Sequence, residues 1–212
     1  MARIYRCNYK TVVRKFLFLS SWAEVYFKRH RDLFPPSKEV EFDDLETFEH
    51  SKLKPLSVAM MIETKTRRIL GFNVAQMSAK GLLAPLAKKK YGTRKDLRNE
   101  EREKLFKELK PYIAEEAKIK SDESPHYPMH IKKYFPKSTH WTTKGRRGCV
   151  VGQGELKSGG FDPLFTLNHT FAMFRANINR LFRRTWNTTK KPDRLKKHIW
   201  LYVLYHNLAI IE

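Results

Sequence analysis

The spacing of apolar and polar residues changes period several times along this chain, and each change marks an element. After Asn8, which stands where an N-cap would, Val12, Val13, Phe16 and Leu17 form one helical face. Ser20 or Ser21 is placed to cap a second helix running to about Arg31. The "PPS" at 35–37 ends that pattern and separates a helical segment, 1–36, from a larger domain, 37–212. Three β-rich runs follow: about 38–44, then "PLSVAMMIET", then "RRILGFNVAQM", the last two joined by a tight turn around Lys65 and Thr66. Two helices are predicted between 80 and 112, the second being "NEEREKLFKELK" with Glu and Lys at helical spacing. A short strand reaches Asp122, a helix covers "SPHYPMHIKKYF", and a last strand runs through "STHWTT". Six of the nine glycines fall between 144 and 160, which predicts a mobile basic loop. Asp162 and Pro163 read as N-cap and first residue of a long helix, "PLFTLNHTFAMFRANINRLFRRTW", and "KKPDRL" opens a final one.

Three strands, helices, a strand, a helix, a strand and helices is the order of an RNase H-like α/β fold, a mixed five-stranded sheet flanked by helices. In it the first two strands are antiparallel, and the fourth lies parallel to the first. Asp43 and Asp122, at the ends of the first and fourth strands, would then lie side by side, with a third ligand coming from the helix after the fifth strand. Asn168 stands on that helix, and Arg175, seven residues on, shares its face. The three site residues are separated by 79 and 46 positions, so only a sheet can bring them together. Hard oxygen ligands of this kind suit Mg²⁺, and a pair of ions can clamp the attacking and leaving oxygens of a phosphodiester. Simpler readings exist for each. Asp44 faces the other side of the strand from Asp43. Asp122 is placed to cap a helix at Ser124 and Pro125, and Asp162, the rival third acid, is accounted for as a cap before Pro163. His140, His169 and His206 show no HxH or HxxxH pairing and read as structural or DNA-facing.

Charge narrows the partner. The 212 residues include 43 Lys plus Arg against 22 Asp plus Glu, a formal net charge of +21, which points to a polyanion, double-stranded DNA first. An acidic protein partner is the weaker alternative. A membrane is weaker still, since no apolar run approaches the roughly 18 residues of a span. Cys7 and Cys149 form no CxxC pair, which excludes a zinc ribbon and suits a reducing cytoplasm. The start "MARIYRCNYKTVVRKF" is polar and basic, unlike a signal peptide.

Over roughly residues 8–207 the chain resembles the DDE-type transposases of bacterial insertion sequences, near the group called insertion sequence one and its sister groups. The resemblance is carried by "FDDLETF" with "LSVAMMIETKTRRILGF", by "IKSDESPHYP", and by "NHTFAMFRANINRLFRRTWNTTK". In the last block Arg175 and "RLFRRT" match the family pattern, whereas Asn168 stands where Glu is typical. The resemblance implies that Asp43, Asp122 and Asn168 hold two Mg²⁺ or Mn²⁺ ions for DNA cleavage and strand transfer at transposon ends. It also implies a homo-oligomer on DNA in a bacterial cytoplasm. Phosphate contacts would come from Arg175, Arg180, Arg183 and Arg184, and from Lys144, Arg146 and Arg147 in the glycine-rich loop. Residues 8–19 resemble the recognition helix of a helix-turn-helix, with Tyr9, Lys10, Thr11, Arg14 and Lys15 exposed, although the first helix of that motif is mostly missing. The alternative function is a catalytically inactive, transposase-derived DNA-binding protein. A structure-specific nuclease built on the same core is a weaker third reading.

Overall fold

In the computed structural model, residues 2–144, 162–181 and 188–211 are described, with side chains as far as Ala209. The apolar spacing of the first segment forms one helix, α1 (Tyr9–Arg31), not two. Asn8 caps it as expected, its Oδ1 accepting from Lys10 N–H at 2.9 Å. No break occurs at Ser20, because its hydroxyl donates to Phe16 O, one turn back, at 2.6 Å and so does not act as a cap. The helix buries Ser20, Ala23, Phe27 and Arg31, whereas Val13 on the predicted apolar face is exposed.

The strands are β1 (Ser37–Phe48), β2 (Pro55–Glu63), β3 (Ile69–Gln76), β4 (Ile113–Asp122) and β5 (Thr139–Thr143). The helices that follow α1 are α2 (Leu83–Tyr91), α3 (Arg98–Leu109), α4 (Tyr127–Tyr134), α5 (Phe165–Asn177) and α6 (Pro192–Ile211). Sheet order is β3-β2-β1-β4-β5, with β1–β2 and β2–β3 antiparallel and β1–β4 and β4–β5 parallel. This order with these directions is the RNase H-like α/β fold. The Lys65–Thr66 turn closes through Glu63 N–H to Arg68 O and Arg67 N–H to Glu63 O, with Arg67 at φ 63°.

Two cores lie on opposite faces of the sheet, and strand alternation decides which residue enters which. Val40 and Phe42 of β1, with Ala59 and Met61 of β2, join Leu105, Phe106 and Leu109 of α3 and Tyr127 and Ile131 of α4. Leu45, Val58, Met60 and Ile62 face the other way, against Phe27, Leu167, Phe171, Phe174, Trp200 and Val203. The unbroken apolar run of β2 is therefore a strand buried on both sides. At Gly71, α3 comes so near β3 that a Cβ would lie 3.0 Å from Leu109 Cδ2 and 3.2 Å from Leu105 Cδ1.

Three boundaries differ from the sequence expectation. β1 continues to Phe48, because pairing with β2 runs on to Phe48 opposite Pro55. α5 begins at Phe165, with Asp162 Oδ1 accepting from Leu164 N–H (3.1 Å) in a turn just ahead of the helix. α5 also ends at Asn177 rather than continuing towards Trp186. Asn177 Nδ2 donates to Met173 O at 2.8 Å, Ile178 is extended, and a short 3₁₀ turn, Asn179–Leu181, follows. The glycine-rich stretch, apart from Lys144, lies outside the described residues.

β3 is an edge strand, and α6 satisfies part of that edge with one side chain. Asn207 Oδ1 accepts from Ile69 N–H at 3.0 Å while its Nδ2 donates to Ile69 O at 2.9 Å, the two bonds a neighbouring strand would supply. Asn207→Ala strips both bonds from a buried amide and should cost about 1–3 kcal/mol. Urea denaturation measures this, and an unchanged midpoint would show that α6 does not hold this edge.

Candidate active site

Parallel pairing between β1 and β4 ends with Phe42 opposite Ser121. The next residue on each strand is an aspartate, so Asp43 and Asp122 leave two adjacent strands, about 4.8 Å apart, at the same level. Asp43 does not close its strand, as the sequence suggested; what stops there is the pairing with β4, while β1 goes on beside β2.

Asp43 is held on one oxygen. Its Oδ1 accepts from Asp44 N–H at 2.7 Å and from the Tyr127 hydroxyl at 3.0 Å. Burial first, and then the Asp122 carboxylate, push the Asp43 carboxyl up to about 7. Burial and the nearby carboxylates of Asp44, Asp43 and Asp122 also drive Tyr127 upward, so it stays a phenol and donates. Asp44 points to the α3 face, as strand alternation required, and meets Arg102 Nη2 at 2.8 Å. The Arg102 guanidinium lies over the Tyr127 ring, 4.8 Å from its centroid, so one buried cation braces both the neighbouring acid and the tyrosine.

The Asp122 Oδ1 accepts from Ser124 N–H at 3.0 Å. α4 itself starts only at Tyr127, so this bond closes a turn ahead of the helix and is not an N-cap. Ser121 Oγ donates to Asp122 O (2.9 Å) and lies 2.8 Å from His140 Nε2, while Thr143 Oγ1 donates to Ser121 O (3.3 Å). These bonds brace the backbone that presents Asp122, with the His140 ring held below its ordinary value by burial.

The first turn of α5 is tied to the sheet at three points. Leu167 N–H donates to Glu41 Oε2 at 2.8 Å, Thr166 Oγ1 donates to Thr64 O at 3.3 Å, and Arg67 Nη2 bonds to the His169 ring. Glu41 is 1% exposed, on the same face of β1 as Asp43, and sequence reasoning missed it. Its signal was a carboxylate between Val40 and Phe42 at the period of a strand. Burial raises its pKa above the ordinary carboxylate value, opposed by the Leu167 amide and Lys120.

The Asn168 side chain donates to Asp162, from Nδ2 to Oδ2 at 3.0 Å and to Oδ1 at 3.3 Å. Among the described residues, no group of three or more His, Cys, Asp or Glu side chains is arranged to hold a metal ion. Two carboxylates close enough to repel are the kind of oxygen donors that suit a hard divalent ion.

Arg175 is partly exposed two turns beyond Asn168, and Arg180 is partly buried in the 3₁₀ turn, where burial and Arg194 lower it. Lys144, Lys10 and Arg14 are exposed; Arg146, Arg147, Arg183 and Arg184 lie outside the described residues. His206 donates to Arg67 O (3.0 Å), which with the bonds of His140 and His169 makes all three histidines packing elements. No helix among the described residues is long and apolar enough to cross a membrane.

No protein-family model and no curated protein matches the chain. Among solved structures, the catalytic domain of Mos1 mariner transposase is similar at 9% identity with a TM-score of 0.34, over 92% of this chain and 93% of that one.

Asp43 binds a proton more tightly folded than unfolded, so stability from this group is full below about pH 4 and falls as pH rises through about 7. Asp43→Asn should remove that loss and stabilise the metal-free protein at pH 8 by up to about 4 kcal/mol. Melting curves at pH 5 and pH 8 decide it; equal melting of both proteins at pH 8 counts against a strained acid pair.

Proposed function

We propose that this protein is a divalent-metal-dependent DNA transposase of the insertion-sequence type, cutting and joining phosphodiester bonds at the ends of its element. The observation that carries this is the placement of Asp43 and Asp122 where β1 and β4 part, with the Asp43 carboxyl raised by burial and then by the neighbouring acid. Mutually repelling carboxylates in a partly buried position are stabilised by a cation. Asp43 and Asp122 would hold Mg²⁺ or Mn²⁺, with the Asn168 amide oxygen as the third donor, since its nitrogen end is engaged by Asp162. Bound there, two such ions would supply Lewis-acid stabilisation of the attacking and leaving oxygens of a DNA phosphodiester.

The chain's own residues do the rest. Tyr127 fixes the rotamer of Asp43, and Arg102 keeps Asp44 on the far face, out of competition for the ion. The Glu41–Leu167 bond sets the height of α5 against β1, and so the position of Asn168. Arg175, Arg180 and Lys144, with Arg146, Arg147, Arg183 and Arg184, supply phosphate contacts. Lys10 and Arg14 on α1 grip duplex DNA, and copies of the chain assemble on the transposon ends in a bacterial cytoplasm.

A second reading, an inactive DNA-binding descendant of such an enzyme, draws on the neutral Asn168 and its tie to Asp162. Two formal negatives in place of three bind the second ion weakly. Adding 10 mM MnCl₂ at pH 7.5 to a site of about 1 mM affinity should stabilise the native protein by about 1.4 kcal/mol, an effect that Asp43→Ala or Asp122→Ala removes. In a metal-dependent cleavage assay on DNA carrying the element's ends, Asn168→Glu should raise turnover, or create it if the native protein only binds. Asp162→Ala should cost about 1 kcal/mol at the turn leading into α5 and loosen the Asn168 amide, lowering cleavage without abolishing it. Loss of cleavage in Asp162→Ala, with every change at Asn168 silent, would overturn the assignment.

Duplex binding should also weaken by about 10³- to 10⁵-fold between roughly 50 and 200 mM salt, if six to ten phosphates are contacted. Salt-insensitive association, measured by anisotropy, would point to a partner other than DNA.

A further inference from the structure

Helix α1 turns one face inward, through Ser20, Ala23, Phe27 and Arg31, and leaves an aromatic face in solvent. Phe18 is 65% exposed and Trp22 50%, although apolar rings of this size are ordinarily buried. The rings form a series along the helix. Trp22 stacks on Tyr26 with centroids 5.1 Å apart and planes 30° apart, and Tyr26 meets His30 at 4.7 Å. Lys15 and Arg29, both exposed, lie seven residues before and after Trp22, on the same line of the helix and about 21 Å from one another. No acid sits on this strip: the helix's one carboxylate, Glu24, is turned to another side and paired with Lys28 at 2.9 Å.

The charges identify the occupant. A second copy is disfavoured, because antiparallel pairing centred on Trp22 sets Lys15 against Arg29 at both ends, and each chain already carries a net charge of +21. An anion that also offers flat apolar faces satisfies both features. Duplex DNA hides its base faces, whereas an unpaired strand presents them beside its phosphates. We propose that this strip of α1 stacks the unpaired bases of a DNA strand, over a length on the order of four nucleotides, with Lys15 and Arg29 on the flanking phosphates. The proposal rests on the reading of the protein as one that acts on DNA and adds a surface apart from the aspartate site. Single strands form wherever a duplex is opened for cutting, which gives such a surface a use.

The test is fluorescence anisotropy with labelled dT12 and a labelled 12-base-pair duplex, on the full chain, at 50 mM salt without divalent metal. Trp22→Ala should weaken dT12 binding about fivefold or more, the loss of one stacked base, and change duplex binding less than about twofold. Trp22→Phe should restore most of the affinity. Phe18→Ala, read in the same way, serves if Trp22→Ala does not fold. Unchanged dT12 affinity in these variants, with duplex binding intact, refutes the strip and leaves the DNA reading standing. Failure of the native protein to bind either DNA refutes both. Binding to phosphatidylserine–phosphatidylcholine vesicles that Trp22→Ala abolishes, with dT12 affinity untouched, assigns the face to a membrane and overturns the proposal.

Discussion

Parallel hydrogen bonding between β1 and β4 stops after Phe42 and Ser121, and the meeting of Asp43 with Asp122 depends on that stopping point. A parallel pair can bring residues far apart in sequence to one level, but while the ladder continues, their side chains are committed to one face or the other. At its end each strand stays paired only on its other side, and two partly buried aspartates emerge together. Burial and the repulsion between them are costs that the fold sustains.

The surrounding contacts divide into those that aim the acids and those that keep rivals away. Tyr127, at the start of α4, reaches Asp43, and Arg102 on α3 draws Asp44 to the opposite face. Both interactions come from the side of the sheet where Phe42, Phe106 and Tyr127 pack edge to face. Changing that core would therefore move the aspartate pair. On the opposite face the buried Glu41 plays the corresponding part for α5. Its bond to Leu167 N–H satisfies a donor in the first turn of that helix and fixes the approach of Asn168 at once.

The peripheral elements follow a similar economy. Asn207 completes the edge of β3, and Arg67 links the β2–β3 turn to both α5, through His169, and α6, through His206. α1 contributes Phe27 to the core shared with α5 and α6 and leaves its aromatic side outward. The aspartate pair, at the end of the β1–β4 ladder, and the exposed rings, on α1, thus belong to different elements of one scaffold.

The elements themselves were legible in the sequence wherever the period of burial was clean. The β2 run, the Lys65–Thr66 turn, the Asn8 cap and the order of strands all follow from local patterning, and they sufficed to infer the sheet and to place Asp43, Asp44 and Asp122. Boundaries governed by a partner did not follow. β1 outlasts its predicted end because β2 continues beside it, and α5 stops at Asn177 because a side chain turns back on its own helix. Ser20 left α1 unbroken for a similar reason, since a hydroxyl able to cap a helix can also bond back into one. Tyr127 was invisible as a site residue, and Glu41 showed only as a carboxylate inside an apolar strand run, since each acquires its part through an atom on a distant element. Local chain chemistry determined which elements form and in what order. Tertiary structure alone decided which side chains from other elements hold the carboxylates, because contact across a sheet is a property of register, and register is set by both strands together.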